Sequence, residues 1–111
     1  MQRANENACA YRAGDSGVKY LMRGPRIDWG VILLKPGQSL GGHYHEEVEE
    51  TFYVQSGRGA VLVNGERYAA EQGDVFRLEP TERHDIVNDG EAPLKLVFIK
   101  CPYLPADKVD V

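Results

Sequence analysis

The sequence is short of the residues that build disulfide frameworks, membrane spans and secretory signals. It has two cysteines among 111 residues, and because Cys9 and Cys101 lie far apart and form no CxxC pair, we expect two reduced thiols. No apolar run approaches the roughly 20 residues that a membrane-spanning helix needs. The stretch Met1–Ala10 is polar and lacks the apolar segment of a secretory signal, so the sequence predicts a cytoplasmic protein.

Positive charge and helical periodicity are also scarce. Lys and Arg number 13 against 17 Asp and Glu, which gives a formal net charge of -4. This balance argues against a nucleic-acid or anionic-membrane partner, since either would favour a basic face. No stretch repeats apolar residues with the 3.6-residue period of a helix, so we expect little helix.

What the sequence does contain is a series of short runs rich in Val, Ile, Tyr, Phe and Leu, separated by Gly, Pro, Asn and Asp. This spacing is typical of an all-β sandwich or barrel. The pair Asn64-Gly65 predicts a type I′ hairpin, because both residues tolerate positive φ. The predicted strands are Val18–Met22, Asp28–Leu34, Gly42–His45, Glu50–Gln55, Gly59–Val63, Arg67–Ala70, Val75–Leu78, His84–Asn88 and Leu94–Lys100.

The length of the chain fits one domain over residues 1–111. Residues 1–17 are polar and weakly patterned, and we expect them to form an N-terminal arm. Residues 102–111 begin with a proline-rich stretch that cannot extend the interior of a sheet. We expect this tail to lie across the surface or against a partner.

All three histidines fall in one pattern with a carboxylate. His43 and His45 are two residues apart, and side chains at this spacing in a strand point to the same face. Glu50 begins the next strand after a short polar turn, and His84 opens a further strand. Neutral imidazoles and a carboxylate are suitable ligands for a divalent transition metal. The four residues therefore predict one metal site, and an octahedral ion there would keep two positions open.

Two motifs resemble those of the cupin family. The first cupin motif, G(X)5HXH(X)3,4E(X)6G, is matched at every fixed position by Gly37, His43, His45, Glu50 and Gly57. The resemblance runs from residue 27 to residue 101, the part of the chain expected to form the barrel.

The second cupin motif, G(X)5PXG(X)2H(X)3N, is matched by Gly73, His84 and Asn88 but not in its middle. Pro80 is displaced by one residue, and Thr81 stands where the motif has glycine. This departure is expected to reshape the turn before His84 while leaving that ligand in register.

The resemblance implies a small jelly-roll barrel, the double-stranded β-helix, with the three histidines and Glu50 as ligands of one metal. The expected ion is Fe, Mn, Ni, Co, Cu or Zn. Phe52 and Ile86 share strand faces with the ligands, so we expect them to line a cavity for a small-molecule substrate or ligand.

The resemblance does not imply one reaction, because cupins carry many. The leading hypothesis is a metal-dependent enzyme acting on a small organic substrate, with dioxygenase, isomerase or lyase chemistry. A non-catalytic module that binds a small ligand or senses the metal is the alternative, and a purely structural barrel is a third class. The catalytic residues stay open, since no histidine remains outside the metal set. The candidates for a general base are Glu50, Tyr20, Tyr53 and Tyr68.

Other residues allow two interpretations each. Trp29 could stack on a substrate, although packing in the core is the better explanation. Three arginines could recognise a carboxylate or phosphate, although each is better explained as a surface residue. Both faces of Trp29–Leu34 are apolar, so we expect a second subunit to cover the outer one in a homodimer, which is also usual among proteins of this kind. The arginines are Arg23, Arg26 and Arg77.

Overall fold

The computed structural model describes residues 1–111, which form ten strands and one 3-10 helix, Glu6–Ala8. No helix in the chain could cross a membrane. All nine predicted strands appear within one residue of their expected ends, and the last strand was not predicted. The strands are β1 Gly17–Arg23, β2 Asp28–Leu34, β3 His43–Tyr44, β4 Glu49–Ser56, β5 Arg58–Val63, β6 Glu66–Glu71, β7 Val75–Leu78, β8 His84–Val87, β9 Leu94–Cys101 and β10 Val109–Asp110.

The strands form two antiparallel sheets of five. The order of the first sheet is β1-β2-β9-β4-β7, and that of the second sheet is β10-β3-β8-β5-β6. From β3 to β9 the chain crosses between the sheets at every step except the β5-β6 hairpin. At the turn of this hairpin Asn64 and Gly65 have φ values of 49° and 84°, as a type I′ turn requires. The prediction of an all-β jelly-roll barrel is confirmed.

The core lies between the two sheets and follows the period-two pattern of the strands. On β4, Phe52 and Val54 point inward, and on β9 the alternation places Leu94, Leu96 and Phe98 on the inner face. Burying such side chains is the main stabilising contribution to a fold of this size. The buried cluster consists of Ile32, Leu34, Phe52, Val54, Val61, Ala70, Leu78, Ile86, Leu94, Leu96 and Phe98.

The N-terminal segment lies against the outer face of the first sheet. The Lys19 Nζ donates a hydrogen bond to the Glu6 carbonyl oxygen at 3.0 Å and lies 4.0 Å from the centre of the Tyr11 ring. Lys95 forms an ion pair with the Glu6 side chain. Lys19 is the cross-strand neighbour of Val31, and both are buried. Part of the apolar outer face is therefore covered by the chain itself.

Trp29 lies on this outer face and is only half-buried, with Ile99 as its cross-strand neighbour. The expectation that it packs in the core is therefore wrong. Apolar residues occupy both faces of β2, so the sequence pattern could not assign Trp29 to one of them.

Thr81, at the glycine position of the second motif, adopts a left-handed backbone with φ of 73°. Its amide donates a hydrogen bond to the His45 carbonyl at 2.6 Å, and its side chain is exposed and forms no hydrogen bond. A β-branched residue is strained in this conformation, whereas glycine adopts it freely. The turn therefore keeps the left-handed backbone that the motif's glycine would adopt, although threonine is unfavourable in this conformation.

Replacing Thr81 with Gly should stabilise the fold. The left-handed conformation costs an L-residue about 1–2 kcal/mol, and glycine removes this cost. Glycine also makes the unfolded chain more flexible, which lowers the stability by about 0.4–1 kcal/mol and offsets part of the gain. We expect a net gain of roughly 0.5–1 kcal/mol in the free energy of unfolding, measured by urea denaturation. Thr81→Ala keeps the Cβ and should gain less. A Thr81→Gly variant less stable than the wild type would contradict this account.

Candidate metal centre

Four side chains from different parts of the sequence meet inside the barrel. His43 lies on β3 directly opposite His84, the first residue of β8. His45 follows β3, and Glu50 is the second residue of β4. Each residue offers a ligand atom, and these atoms all lie within 4.8 Å of one another. All four side chains are buried, so the cluster is shielded from bulk water.

The Oε1 atom of Glu50 is the common point of the cluster. It lies 3.0 Å from the Nε2 of His45, 3.3 Å from that of His84 and 3.8 Å from that of His43. The inward direction of each side chain follows from strand alternation, because the intervening Tyr44 is turned the other way and is less buried.

The other ring nitrogen of each histidine contacts a backbone carbonyl. His43 Nδ1 lies 2.8 Å from the Gly41 carbonyl oxygen, and His84 Nδ1 lies 2.9 Å from that of Glu82. His45 Nδ1 contacts the carbonyl oxygen of Asp107. A carbonyl only accepts hydrogen bonds, so each Nδ1 must carry the proton. In the neutral imidazole, Nε2 then presents its lone pair toward Glu50.

Lone pairs from three imidazoles and one carboxylate thus converge at one point. Without a cation between them they repel one another in a dry environment. Imidazole nitrogen with a carboxylate oxygen is a donor set that divalent transition metals accept, and carbonyls that fix the second nitrogen are the usual support of such ligands. The residues therefore fit a metal ion, and they form a candidate metal site.

In the metal-free protein, protons take the place of the cation. Burial raises the pKa of Glu50, but hydrogen bonds from the three histidines outweigh burial and hold this pKa well below its usual range. Burial lowers the pKa of His45, but the hydrogen bonds to Glu50 and to the Asp107 carbonyl outweigh it and leave this pKa raised. The carboxylate therefore stays ionised, and His45 retains a proton to higher pH than a free histidine.

The C-terminal tail supports this site. The Asp107 carboxylate accepts hydrogen bonds from the backbone amides of Glu46, Glu47 and Val48 at 2.9–3.0 Å. Beyond it, β10 pairs with β3, so the tail holds the strand that carries His43. The tail was expected to lie across the surface or against a partner, and in the structure it lies on the barrel of its own chain.

Phe52 and Ile86, expected to line the cavity, are fully buried in the core. The Phe52 ring lies 5.9 Å from that of His84, between centres. Neither residue is among those that line the cavity beside the site. Strand alternation assigned both residues to the inner face of their sheets, which is correct. It carries no information about how far inside the barrel a residue lies.

The remaining predicted residues divide between the cavity and the surface. Tyr20 lines the cavity, whereas Tyr53 and Tyr68 are exposed. The guanidinium of Arg23 forms two hydrogen bonds with the buried Asp28, at 3.0 and 3.1 Å. Arg26 and Arg77 are exposed, as expected for surface residues.

A narrow cavity, with about 30 Å³ of space that a water-sized sphere can enter, leads from the surface to His43 and Glu50. Its wall contains three cations that the sequence reasoning missed, Arg12, Lys100 and Lys108. The alternation that turns Leu96 and Phe98 inward continues to Lys100 and could have identified it. The other cations lie outside the predicted strands, where the pattern gives no direction. The remaining lining residues are Val18, Tyr20, Ile32, Leu40 and Phe98.

Residues 30–100 match the family described as Cupin domain. The matched segment contains all four residues of the candidate metal site and both cupin motifs.

Two curated relatives are similar to the chain over its central part. The chain is 36% identical over 76 residues to tetracenomycin polyketide synthase protein TcmJ of Streptomyces glaucescens, covering 68% of this chain and 51% of that protein. It is 35% identical over 68 residues to the oxalate-binding protein of Thermotoga maritima, covering 61% of this chain and 56% of that protein. The chain therefore spans about half the length of these relatives.

The fold is similar to that of a solved protein with a double-stranded β-helix domain from Klebsiella pneumoniae. The TM-score is 0.85 at 20% identity, and the likeness covers 100% of this chain and 97% of that one. At this identity the likeness establishes the fold alone.

The stability of the metal-free protein should fall as the pH rises above about 6.5, the unfolded pKa of histidine. The raised pKa of His45 stabilises the fold fully below that value, and this contribution is lost as the pH rises through the folded pKa. Metal competes with protons for the same nitrogens, so stabilisation by zinc should instead grow with pH. The measurement is Tm against pH in EDTA and in excess zinc. In His45→Ala the slope in EDTA should flatten, and parallel curves for the wild type in the two conditions would contradict the assignment.

Replacing Asp107 with Ala should weaken both the fold and the site. Three amides lose their acceptor, and loss of such a cap costs about 0.5–2 kcal/mol. The carbonyl that orients His45 also becomes less fixed, so we expect metal affinity to fall about 10-fold. Urea unfolding and competition with a coloured chelator measure the two effects. Asp110→Ala changes the same tail at an exposed position and should alter neither quantity. Unchanged affinity in Asp107→Ala would show that the tail does not orient the site.

Proposed function

The chain belongs to the cupin family, and from this we propose that it binds one divalent transition metal through His43, His45, Glu50 and His84 and acts as a metal-dependent enzyme on a small organic molecule. The observation that carries the proposal is the convergence of three Nε2 lone pairs on the Glu50 carboxylate. Such a donor arrangement has a cost in a buried site unless a cation is bound.

When bound, the metal would supply Lewis-acid or redox chemistry at the positions that the protein leaves open. The chain's own residues set the conditions for this chemistry. Ile32, Leu40 and Phe98 form an apolar wall that limits water beside the site. Besides Arg12 and Lys108, the polar group that faces the cavity without being a ligand is the pair formed by Lys100 Nζ and the Tyr20 hydroxyl, which lie 3.2 Å apart. It can hold a charge or a proton at that wall.

A non-catalytic binding module is the second candidate. The similarity to the oxalate-binding protein of Thermotoga maritima favours it, because that relative is named for a ligand and not for a reaction. The two candidates share the metal site and differ in whether the bound molecule is converted.

Metal content tests the shared part of both candidates. Protein purified without a chelating resin should contain close to one equivalent of metal, and His84→Ala should lose most of it because the remaining three ligands hold the ion less tightly. Elemental analysis after identical dialysis measures both. Glu47→Gln removes an exposed carboxylate of the neighbouring turn and should leave the content unchanged. Equal content in the wild type and His84→Ala would overturn the site.

Turnover separates the two candidates. Protein reconstituted with Fe(II) under anaerobic conditions is mixed with catechols, keto acids and sugars, and oxygen uptake and product formation are followed. If the wild type converts any of these compounds and His84→Ala does not, the result supports the enzyme. Binding without conversion, with the metal present, supports the binding module.

We propose further that the protein is a homodimer formed through the outer face of the first sheet. Tyr53, Val75 and Ile99 are exposed there by 43%, 62% and 40%. Tyr53 and Val75 are cross-strand neighbours, so their side chains form a continuous apolar patch. A second copy would cover this patch and reduce the exposure of apolar surface to water.

Light scattering should give twice the 12.4 kDa mass of one chain at micromolar concentration. Ile99→Glu places a charge in the patch and should shift the protein to monomer. Tyr68→Glu changes an equally exposed aromatic residue on β6 of the second sheet and should leave the dimer intact. A monomeric wild type would refute the proposed assembly.

A further inference from the structure

Lys100 is an inward-facing cation beside the candidate metal site. It follows Leu96 and Phe98 in the alternation of β9, and its cross-strand neighbour on β4 is Glu50. Its ammonium group lies 3.2 Å from the Tyr20 hydroxyl and 5.4 Å from the centre of the Phe98 ring. The faces of the Tyr20 and Phe98 rings attract the ammonium group and hold it at the cavity wall.

No carboxylate of the chain forms an ion pair with Lys100, although its charge helps to lower the pKa of Glu50. Its two cross-strand neighbours are both acidic, Glu50 on β4 and Asp28 on β2. Glu50 is directed toward the three histidines, and Asp28 forms two hydrogen bonds with Arg23. Lys100 forms no ion pair and has only the Tyr20 hydroxyl as a polar partner. The charge in the wall is therefore open to a ligand.

The rim of the same cavity adds positive charge. Arg12 belongs to the N-terminal segment and forms no ion pair, and Lys108 belongs to the tail and pairs only with the exposed Asp110 at 3.4 Å. Both segments lie outside the matched family region of residues 30–100. Glu50 is the one carboxylate that lines the cavity, within a protein whose formal net charge is -4.

We propose that this cavity selects a small carboxylate anion, whose carboxylate is held by the Lys100 ammonium and the Tyr20 hydroxyl while Arg12 and Lys108 attract it at the rim. The proposal rests on the proposed function and names the class of its substrate. The Tyr20 hydroxyl accepts from Lys100, so its own hydrogen is available to one ligand oxygen, and Lys100 donates to the other.

The size and walls of the cavity favour a small organic acid. The space inside it that a water-sized sphere can enter is only about 30 Å³, so without movement of the wall it admits a molecule of a few non-hydrogen atoms. Ile32, Leu40 and Phe98 offer an apolar surface to the carbon part of such a molecule. One ammonium group and one hydroxyl suit the two oxygens of a carboxylate better than the doubly charged phosphate group.

Zinc-loaded protein tests the proposal with glycolate, its neutral isostere glycolamide and inorganic phosphate, each titrated by calorimetry. Zinc is redox-inert, so binding is measured without turnover. Charged hydrogen bonds are stronger than neutral ones, so glycolate should bind at least about 10-fold more tightly than glycolamide. Lys100→Met keeps the length of the stem and should remove most of this preference, and Tyr20→Phe should reduce it several-fold. Lys35→Met makes the same charge change at an exposed site away from the cavity and should leave the preference intact.

The outcomes separate this proposal from the proposed function. Two results would overturn the proposed binding of a carboxylate by Lys100 and Tyr20 and leave the metal site standing. One is zinc uptake with equal binding of glycolate and glycolamide, and the other is a glycolate preference that survives in a folded Lys100→Met. Phosphate binding as tight as that of glycolate would overturn the carboxylate class. If the protein takes up no zinc, the proposed function fails, and the same titrations are made on the metal-free protein. A glycolate preference that is lost in Lys100→Met then supports the binding of a carboxylate by Lys100 and Tyr20, and its absence or its survival in that variant overturns it.

Discussion

Four lone-pair donors meet in the buried interior of this barrel, and they remain together only with positive charge between them, supplied by protons or by a metal ion. Backbone carbonyls accept hydrogen bonds from the Nδ1 atoms of the three histidines and so fix the orientation of each ring. In this orientation the Nε2 atoms face Glu50. In the metal-free protein a proton shared around Glu50 and His45 lowers the repulsion. A divalent metal would do so more completely, because it can contact all four donors at once. The folding of the chain and the occupancy of the site are therefore linked.

The architecture keeps this arrangement rigid by using both sheets. Glu50 comes from the first sheet, while His43 and His84 come from the second and face each other across one register position. The tail completes the second sheet through β10, and Asp107 joins it to the turn before Glu50. Displacement of any one donor would move a strand or the tail, and the packed core opposes such movement.

The sequence was sufficient for the parts that follow from periodicity and spacing. Alternation of side chains placed His43 and His45 on one face, and the turn residues located most strands within a residue. It was insufficient where contacts join distant segments. Asp107 contacts His45 across 62 positions of the chain, and no periodic signal marks it. Trp29 lies in a strand with two apolar faces, so its side could not be assigned. Thr81 departs from the motif, yet its backbone takes the left-handed form that the motif's glycine would take.

Coordination by three imidazoles is the central claim, and X-ray absorption at the edge of the bound metal tests it most directly. With zinc, we expect nitrogen and oxygen scatterers near 2.0–2.1 Å and the outer-shell pattern of three imidazole rings. For the metal that His84→Ala still binds, the fit should contain one imidazole ring fewer. A spectrum fitted by fewer than three imidazoles in the wild type, or by a sulfur scatterer near 2.3 Å from Cys9 or Cys101, would contradict the account.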